Sequence, residues 1–185
     1  GNQRTPTAQW TATASGCCIL GRQGDGPYIT HTVCGRIVDL GIKDVNNMGA
    51  AMAPAAYDTL SALFRETGTS PAEYDLIVTG DLGELGHDIV ADFFREDGIE
   101  LGEKYTDCGL LLYDREGQDM HAGGSGCGCS AAVLNGYLLG GLRAGRWKKI
   151  VFAPTGALLS PTSSFQGESI PGICHAVIIS AGKEN

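Results

Sequence analysis

The segment HAGGSGCGCSAA, residues 121–132, places His121, Cys127 and Cys129 close together among four glycines. Three such side chains could hold zinc, which accepts mixed histidine and thiolate ligands. A C-x-C pair is a weaker metal signature than C-x-x-C, and no second pair stands at a suitable spacing, so no metal is assigned. A second chemistry is a thiol nucleophile. Cys129 falls at a predicted helix start, where the helix dipole lowers a thiol pKa. Its base would be His87, His121 or His175, and spacing does not say which. Against this stands the common role of cysteine as a small packing residue. A third chemistry is anion binding. GGSGCGCS at a helix start offers several backbone N–H groups, as phosphate and carboxylate sites do, but it lacks the lysine of a P-loop. A plain packing turn accounts for the same glycines, and the residues alone leave these alternatives open.

A second cluster is TGDLGELGHDI, residues 79–89, which brings Asp81, Glu84, His87 and Asp88 into one stretch. Acid–base work or calcium coordination would use such side chains. The simpler reading is a capping segment, with Asp88 and Asp92 favoured near a helix N-terminus. His31 reads as an ordinary strand residue. His175, inside ICHAVIIS, reads as a satisfied core histidine.

These residues need elements to position them. TATASGCCIL (11–20) and YITHTVCGRIV (28–38) read as strands. A helix follows, capped by Asn46 or Asn47, with Pro54 expected near its first turn and Gly68 at its stop. Met52, Ala56, Leu60, Leu63 and Phe64 give it one apolar face. Ser70-Pro71-Ala72-Glu73 is a capping box with proline at the first helical position. DLIVTGD (75–81) reads as a buried strand, and GHDIVADFFREDG as an amphipathic helix through Ile89, Val90, Phe93 and Phe94, ending at Gly98. CGLLLYD (108–114) reads as a strand and SAAVLNGYLLGGLRAG (130–145) as an apolar helix. KKIVFAP (148–154) and ICHAVIIS (173–180) read as the last strands, with a long loop, TGALLSPTSSFQGESIPG, between them. Gly136, Gly140 and Gly141 are poor helix residues, and close packing against another backbone is the expected reason.

Strands alternating with helices predict an α/β fold, with a mixed, mainly parallel five-stranded sheet covered by helices. Such sheets place ligand loops at the carboxyl ends of their strands. The loops after Val78, Tyr113 and Phe152 are therefore the candidate site, and each contains glycine.

Composition narrows the partners. The 185 residues suffice for a single domain, 1–185, and 43% hydrophobic content marks a globular chain. A net charge of −8 and no basic cluster larger than Arg143, Arg146, Lys148 and Lys149 argue against nucleic acid. An anionic ligand would then need local donors or an accompanying cation. Seven cysteines, two of them adjacent at Cys17 and Cys18, read as reduced thiols, most of them packed as small hydrophobes. No apolar run reaches membrane-spanning length. The opening GNQRTPTAQW has neither an initiator methionine nor a signal peptide and reads as the interior of a longer chain.

Six segments together resemble one family: TPTAQWTATASG, DLGIKDVNNMGAAMAPAAYDTL, YDLIVTGDLGELG, DCGLLLYD, HAGGSGCGCSA and APTGALLSPT. They are similar to stage V sporulation protein AD, a family of the thiolase-like superfamily, from about Thr5 to Ile179. The resemblance implies a thiolase-like half-domain, the carboxyl-terminal of two α/β halves with a ligand pocket between them. The amino-terminal half, with the cysteine at the nucleophile position, is then outside this chain. It also implies that the glycines of 130–145 pack against helices of the other half. TGDLGELGHD looks like a ketosynthase loop, with Thr79 where the histidine would stand. The GHP motif of thiolases looks replaced by GCGC, and APTGALL stands where CxGGG would be. These departures imply a pocket without the catalytic histidines, and no catalytic residue is assigned.

The resemblance further implies a role in spore formation and germination. It implies binding of dipicolinic acid and help in moving it into the spore, with stage V sporulation membrane proteins as partners. It implies a homodimer, peripheral at the spore inner membrane, with no resident cofactor and calcium accompanying the dipicolinate. The expected ligand-binding residues are Thr79, Asp81, Gly123, Gly124, Ser125, Gly126, Cys127, Cys129 and Thr155, with the N–H groups of 123–130 as a cradle. The rival readings are an acyl-transferring enzyme of the same fold and a structural subunit of a transport complex.

Overall fold

The computed structural model describes residues 4–183. In chain order the elements are β1 (Trp10–Thr11), β2 (Tyr28–Val33), α1 (Met48–Thr67), β3 (Leu76–Thr79), α2 (Gly83–Glu96), β4 (Tyr105–Asp107) and α3 (Cys108–Leu112). Then come β5 (Gly124–Ser125), α4 (Cys127–Val133), α5 (Leu139–Arg143), β6 (Lys149–Ala153), β7 (Thr155–Ala157), α6 (Pro161–Phe165), β8 (Gly172–Cys174) and β9 (Ala176–Ser180). A π turn, Leu134–Leu138, joins α4 to α5.

The main sheet has five strands in the order β2-β9-β6-β3-β4. β6, β3 and β4 pair in parallel, and β9 is antiparallel to both β6 and β2. Four strands thus run one way and β9 the other, so the sheet is mixed and mainly parallel. The apolar runs of its central strands explain why both faces are covered. Alternate residues serve opposite cores. Ile77, Val151 and Ile178 pack with α1 and α2. Val78, Ile150, Phe152 and Ile179 pack with Val133, Leu138 and Leu142 of the helical stretch 127–143.

Helix α1 shows how local signals fix an element. The Asn47 side chain accepts from the N–H of Ala50, and Gly68 closes the helix at φ +66°, where L residues are strained. Met52, Ala56, Leu60, Leu63 and Phe64 are all buried, as their spacing predicts. Pro54 departs from expectation. It lies in the second turn, because capping at Asn47 starts the helix at Met48.

Three predicted strands come out differently. Of the first, only Thr11 is strand, joined by Trp10 just before it and paired with β5. The small residues that follow lie along α4 instead. A Cβ at Gly16 would stand 2.5 Å from the Ala131 carbonyl oxygen, and one at Gly128 2.1 Å from that of Ala14. The run 108–114 is not a strand, because the Asp107 side chain caps a helix there by accepting from the N–H of Gly109; the strand precedes it, as β4. The run 173–180 is split at His175 between β8, paired with β7, and β9. Gly35 causes the break. It crosses so closely that a Cβ there would lie 1.8 Å from the Cys174 carbonyl oxygen, and its N–H donates to His175 Nδ1 at 3.1 Å. His175 is consequently exposed and not a core residue.

The long loop 155–172 contains β7 and α6, the latter capped by the Ser160 side chain. Asp88 and Asp92 sit inside α2, not at its start; Glu84 occupies the first turn and pairs with Arg115 at 2.7 Å. Cysteine burial is also a correction. Cys108, Cys129 and Cys174 are buried, but Cys17, Cys18, Cys34 and Cys127 are exposed. No helix among the described residues is long and apolar enough to cross a membrane.

Candidate functional site

The carboxyl ends of β3, β4 and β6 meet in one row, with Thr79 opposite both Asp107 and Ala153. Asp107 organises it. Its carboxylate accepts from the Thr79 hydroxyl at 2.8 Å and from the N–H groups of Leu82, Gly83 and Gly109 at 3.1, 3.1 and 2.9 Å. A fully buried carboxylate with four donors is a structural anchor. Burial pushes its pKa up to about 6, with the Thr79 hydroxyl and the Gly83 and Leu82 amides opposing. It pins the turn 79–83 and the starts of α2 and α3 with a single side chain.

The pinned turn presents Asp81. One carboxylate oxygen accepts from the N–H of Gly126 at 2.9 Å and the other from the Thr155 hydroxyl at 3.1 Å. The Asp81 N–H in turn donates to the Thr155 hydroxyl oxygen at 3.2 Å. The Gln9 carboxamide bridges the carbonyls of Asp81 and Gly124 at 3.0 and 2.9 Å. Four segments far apart in sequence are thereby tied into one floor. Burial raises the pKa of Asp81, with the Gly126 N–H and the Thr155 hydroxyl opposing.

Over this floor lies a cleft of about 720 Å³. Of the nine expected ligand residues, Asp81, Ser125, Gly126, Cys127 and Thr155 line it. Thr79 is buried beneath the floor on Asp107. Gly123, Gly124 and Cys129 are also behind the lining. The expected N–H cradle needs correction at three positions. The N–H of Gly123 is taken by the Met120 carbonyl, that of Gly126 by Asp81 and that of Cys129 by the Gly126 carbonyl. These donors satisfy the protein itself and are not offered to a ligand.

The side chains weighed as zinc ligands diverge. His121 is exposed beside Asp119, Cys127 faces the cleft, and Cys129 is buried with its thiol 4.0 Å from the Gly80 carbonyl oxygen. Among the described residues no three His, Cys, Asp or Glu side chains form a metal-holding group. Cys129 does not have the depressed pKa of a nucleophile. Burial, with Asp107 and Asp81 nearby, pushes it up to about 12. His87 stacks on Tyr105 with ring centroids 4.4 Å apart, on the far side of the turn.

Three site residues are not among those expected: Asp107, Gln9, and Asn46, which lines the cleft and reads from sequence only as a helix cap. Asp107 carried a signal, an aspartate in front of CGLLL, but it was hidden by the strand reading of that run. Gln9 and Asn46 gave none, since nothing local separates a cleft carboxamide from a solvated one.

A family profile, Stage V sporulation protein AD (SpoVAD), matches residues 1–180. The chain belongs to this family. Stage V sporulation protein AD of Bacillus subtilis (strain 168) is 44% identical over 178 residues, which cover 96% of this chain and 52% of that protein. The chain thus spans about half the length of this family relative. Two solved structures are similar at lower levels. The 3-oxoacyl-[acyl-carrier-protein] synthase III of Aquifex aeolicus VF5 aligns over 70% of this chain and 38% of its own, at 14% identity and a TM-score of 0.40. Human mitochondrial 3-ketoacyl-CoA thiolase aligns over 80% and 29%, at 18% identity and a TM-score of 0.39. Family membership makes this a sporulation protein of the AD type.

Proposed function

We propose that the chain is the non-catalytic, thiolase-like half of a sporulation protein that binds dipicolinic acid and aids its uptake into the developing spore. The observation that supports this most is the cleft at the sheet's carboxyl ends. Its lining offers hydroxyl and carboxamide groups and one carboxylate, Asp81, with no lysine, arginine or histidine among the described lining residues. Dipicolinate is a flat dianion. A cleft without a cation suits it as its calcium chelate, in which the metal offsets the carboxylates before they approach Asp81. Calcium is here part of the ligand, not a resident cofactor. The remaining length of the family's chain would complete the pocket. Gly136 and Gly140 support this, since nothing lies within 4 Å of where a Cβ would be on either, and a partner helix could approach closely. On this reading the protein acts as a dimer, peripheral at the spore inner membrane with the other stage V sporulation proteins.

Calorimetric titration tests it. Dipicolinate and its calcium chelate are titrated into this chain alone and into this chain with the remainder of the family sequence. Heat with the chelate, in either form, supports the reading. No heat in any combination would leave a scaffold role as the better account.

A further inference from the structure

A second surface stands apart from the cleft. Arg143, Arg146 and Lys148 are exposed at the end of α5 and the start of β6. Lys183 lies at the same end of the sheet, just beyond Ser180, which pairs with Lys149. In a chain of net charge −8 this corner is locally basic. The carboxylate of Asp75 accepts from the backbone N–H groups of Lys148 and Lys149. Among the described residues no carboxylate pairs with the side chain of Arg143, Arg146 or Lys148.

The cations are interleaved with aromatic rings. The Arg146 guanidinium lies 5.1 Å from the Tyr137 ring and 5.2 Å from the Trp147 ring, and those rings meet edge-on at 5.2 Å. A Cβ at Gly141 would stand 2.2 Å from the indole, so glycine there lets Trp147 lie flat on the helix. Tyr137, within the π turn, is 41% exposed. The result is an exposed arginine held against two rings that each have a polar tip.

We infer that this corner, Arg143, Arg146 and Lys148 with Tyr137 and Trp147, is a docking surface for an anionic lipid bilayer. Charge complementarity sets the sign, since arginine and lysine gain attraction from acidic headgroups within a Debye length, whatever the net charge of the rest of the chain. Shape selects a bilayer over a protein. Hot-spot side chains of protein interfaces sit in well-packed pockets; in this corner Arg143 borders the apolar groove beside Leu134, Leu139 and Val177, whereas Arg146, Trp147 and Lys148 stand outside it. Tyrosine and tryptophan beside cations match the headgroup layer of a membrane. The surface is at the amino end of β6 and the cleft at its carboxyl end. At roughly 3.3 Å per residue the two are on the order of 15–20 Å apart, so docking leaves the cleft open. This inference rests on the peripheral membrane placement proposed above and adds direct lipid contact to it.

The test is co-sedimentation of the chain with vesicles of phosphatidylglycerol and phosphatidylethanolamine, against vesicles of phosphatidylcholine alone. Binding to the anionic vesicles only, lost at high salt, is expected. Arg143→Ala/Arg146→Ala/Lys148→Ala should weaken it on the order of 100-fold, at roughly fivefold per cation. Lys43→Ala/Arg65→Ala/Lys104→Ala, which removes the same charge elsewhere, should change it little. In a Trp10→Phe background, brominated lipid should quench Trp147. Equal loss in both triple variants, or an unquenched Trp147, overturns the proposal. Retention on polyglutamate without vesicle binding would assign the corner to an acidic protein and overturn it as well. If the chain is found at the membrane in cells but binds no vesicles, the peripheral placement survives and the lipid contact does not.

Discussion

Asp81 accepts a hydrogen bond from the N–H of Gly126 at 2.9 Å, across 45 residues of sequence. That bond fastens the turn after β3 to the start of α4 and closes the floor of the cleft. It also fixes Asp81, the one carboxylate among the described lining residues, in place.

Replacing Asp81 by alanine should therefore act twice. The Gly126 N–H and the Thr155 hydroxyl lose their acceptor in a mostly buried setting, at about 1–3 kcal/mol of stability. The chelate should bind more weakly to whichever form of the protein binds it. Urea denaturation and calorimetry read the two effects, and a variant matching the parent in both would remove Asp81 from the site.

Gly126→Val and Gly140→Ala should move in opposite directions. Gly126 has φ +94°, and a Cβ there would stand 3.0 Å from the Thr11 methyl. Valine should cost about 1–3 kcal/mol in strain and weaken ligand binding by displacing the Gly126 N–H from Asp81. Gly140 has open space at its Cβ position. Alanine there should raise the stability of this chain by about 0.5–1 kcal/mol through helix propensity. If a partner helix packs on it, the same change should weaken association with the remaining half of the family chain. Thermal melts of the two variants test the first statement, and pull-down affinity the second.

Asp107 should titrate far above an ordinary aspartate. Its pKa rises from 3.8 to about 6 in the folded chain because burial disfavours the anion. The folded state then binds its proton more tightly than the unfolded state does. Its contribution is full below about pH 4 and declines as pH rises through about 6, by about 3 kcal/mol in all. Carboxyl carbon NMR should show one aspartate with a midpoint near 6, and a spectrum in which every aspartate titrates near 4 would contradict this.

Thiol reactivity should divide the seven cysteines cleanly. Cys17, Cys18, Cys34 and Cys127 are exposed and should react with Ellman's reagent in the native protein. Cys108, Cys129 and Cys174 are buried, and burial raises all three thiols, so they should react only on unfolding. A native count other than four would show that the burial pattern is wrong. Bound chelate should slow labelling of Cys127, which lines the cleft.

Much was decided by sequence alone. The caps and apolar spacing of 47–68 determined α1, since a helix satisfies its own backbone and needs only a face to bury. The apolar runs at 76–79 and 149–153 marked strands covered on both sides, and their order placed the ligand loops at their carboxyl ends. The family was legible in six long segments. Tertiary structure decided what depends on contacts between distant residues. CGLLLYD has the composition of a strand, but Asp107 capped it into a helix while collecting donors from residues 79–83. ICHAVIIS reads as one strand, but Gly35 crosses it at His175 and sends its halves to different sheets. Gly126 could offer its N–H to a ligand or to the protein, and only the approach of Asp81 gave that donor to the protein. A hydrogen-bonding group cannot reveal its partner when the partner is 45 residues away, because the choice is made by packing and not by its neighbours in the chain.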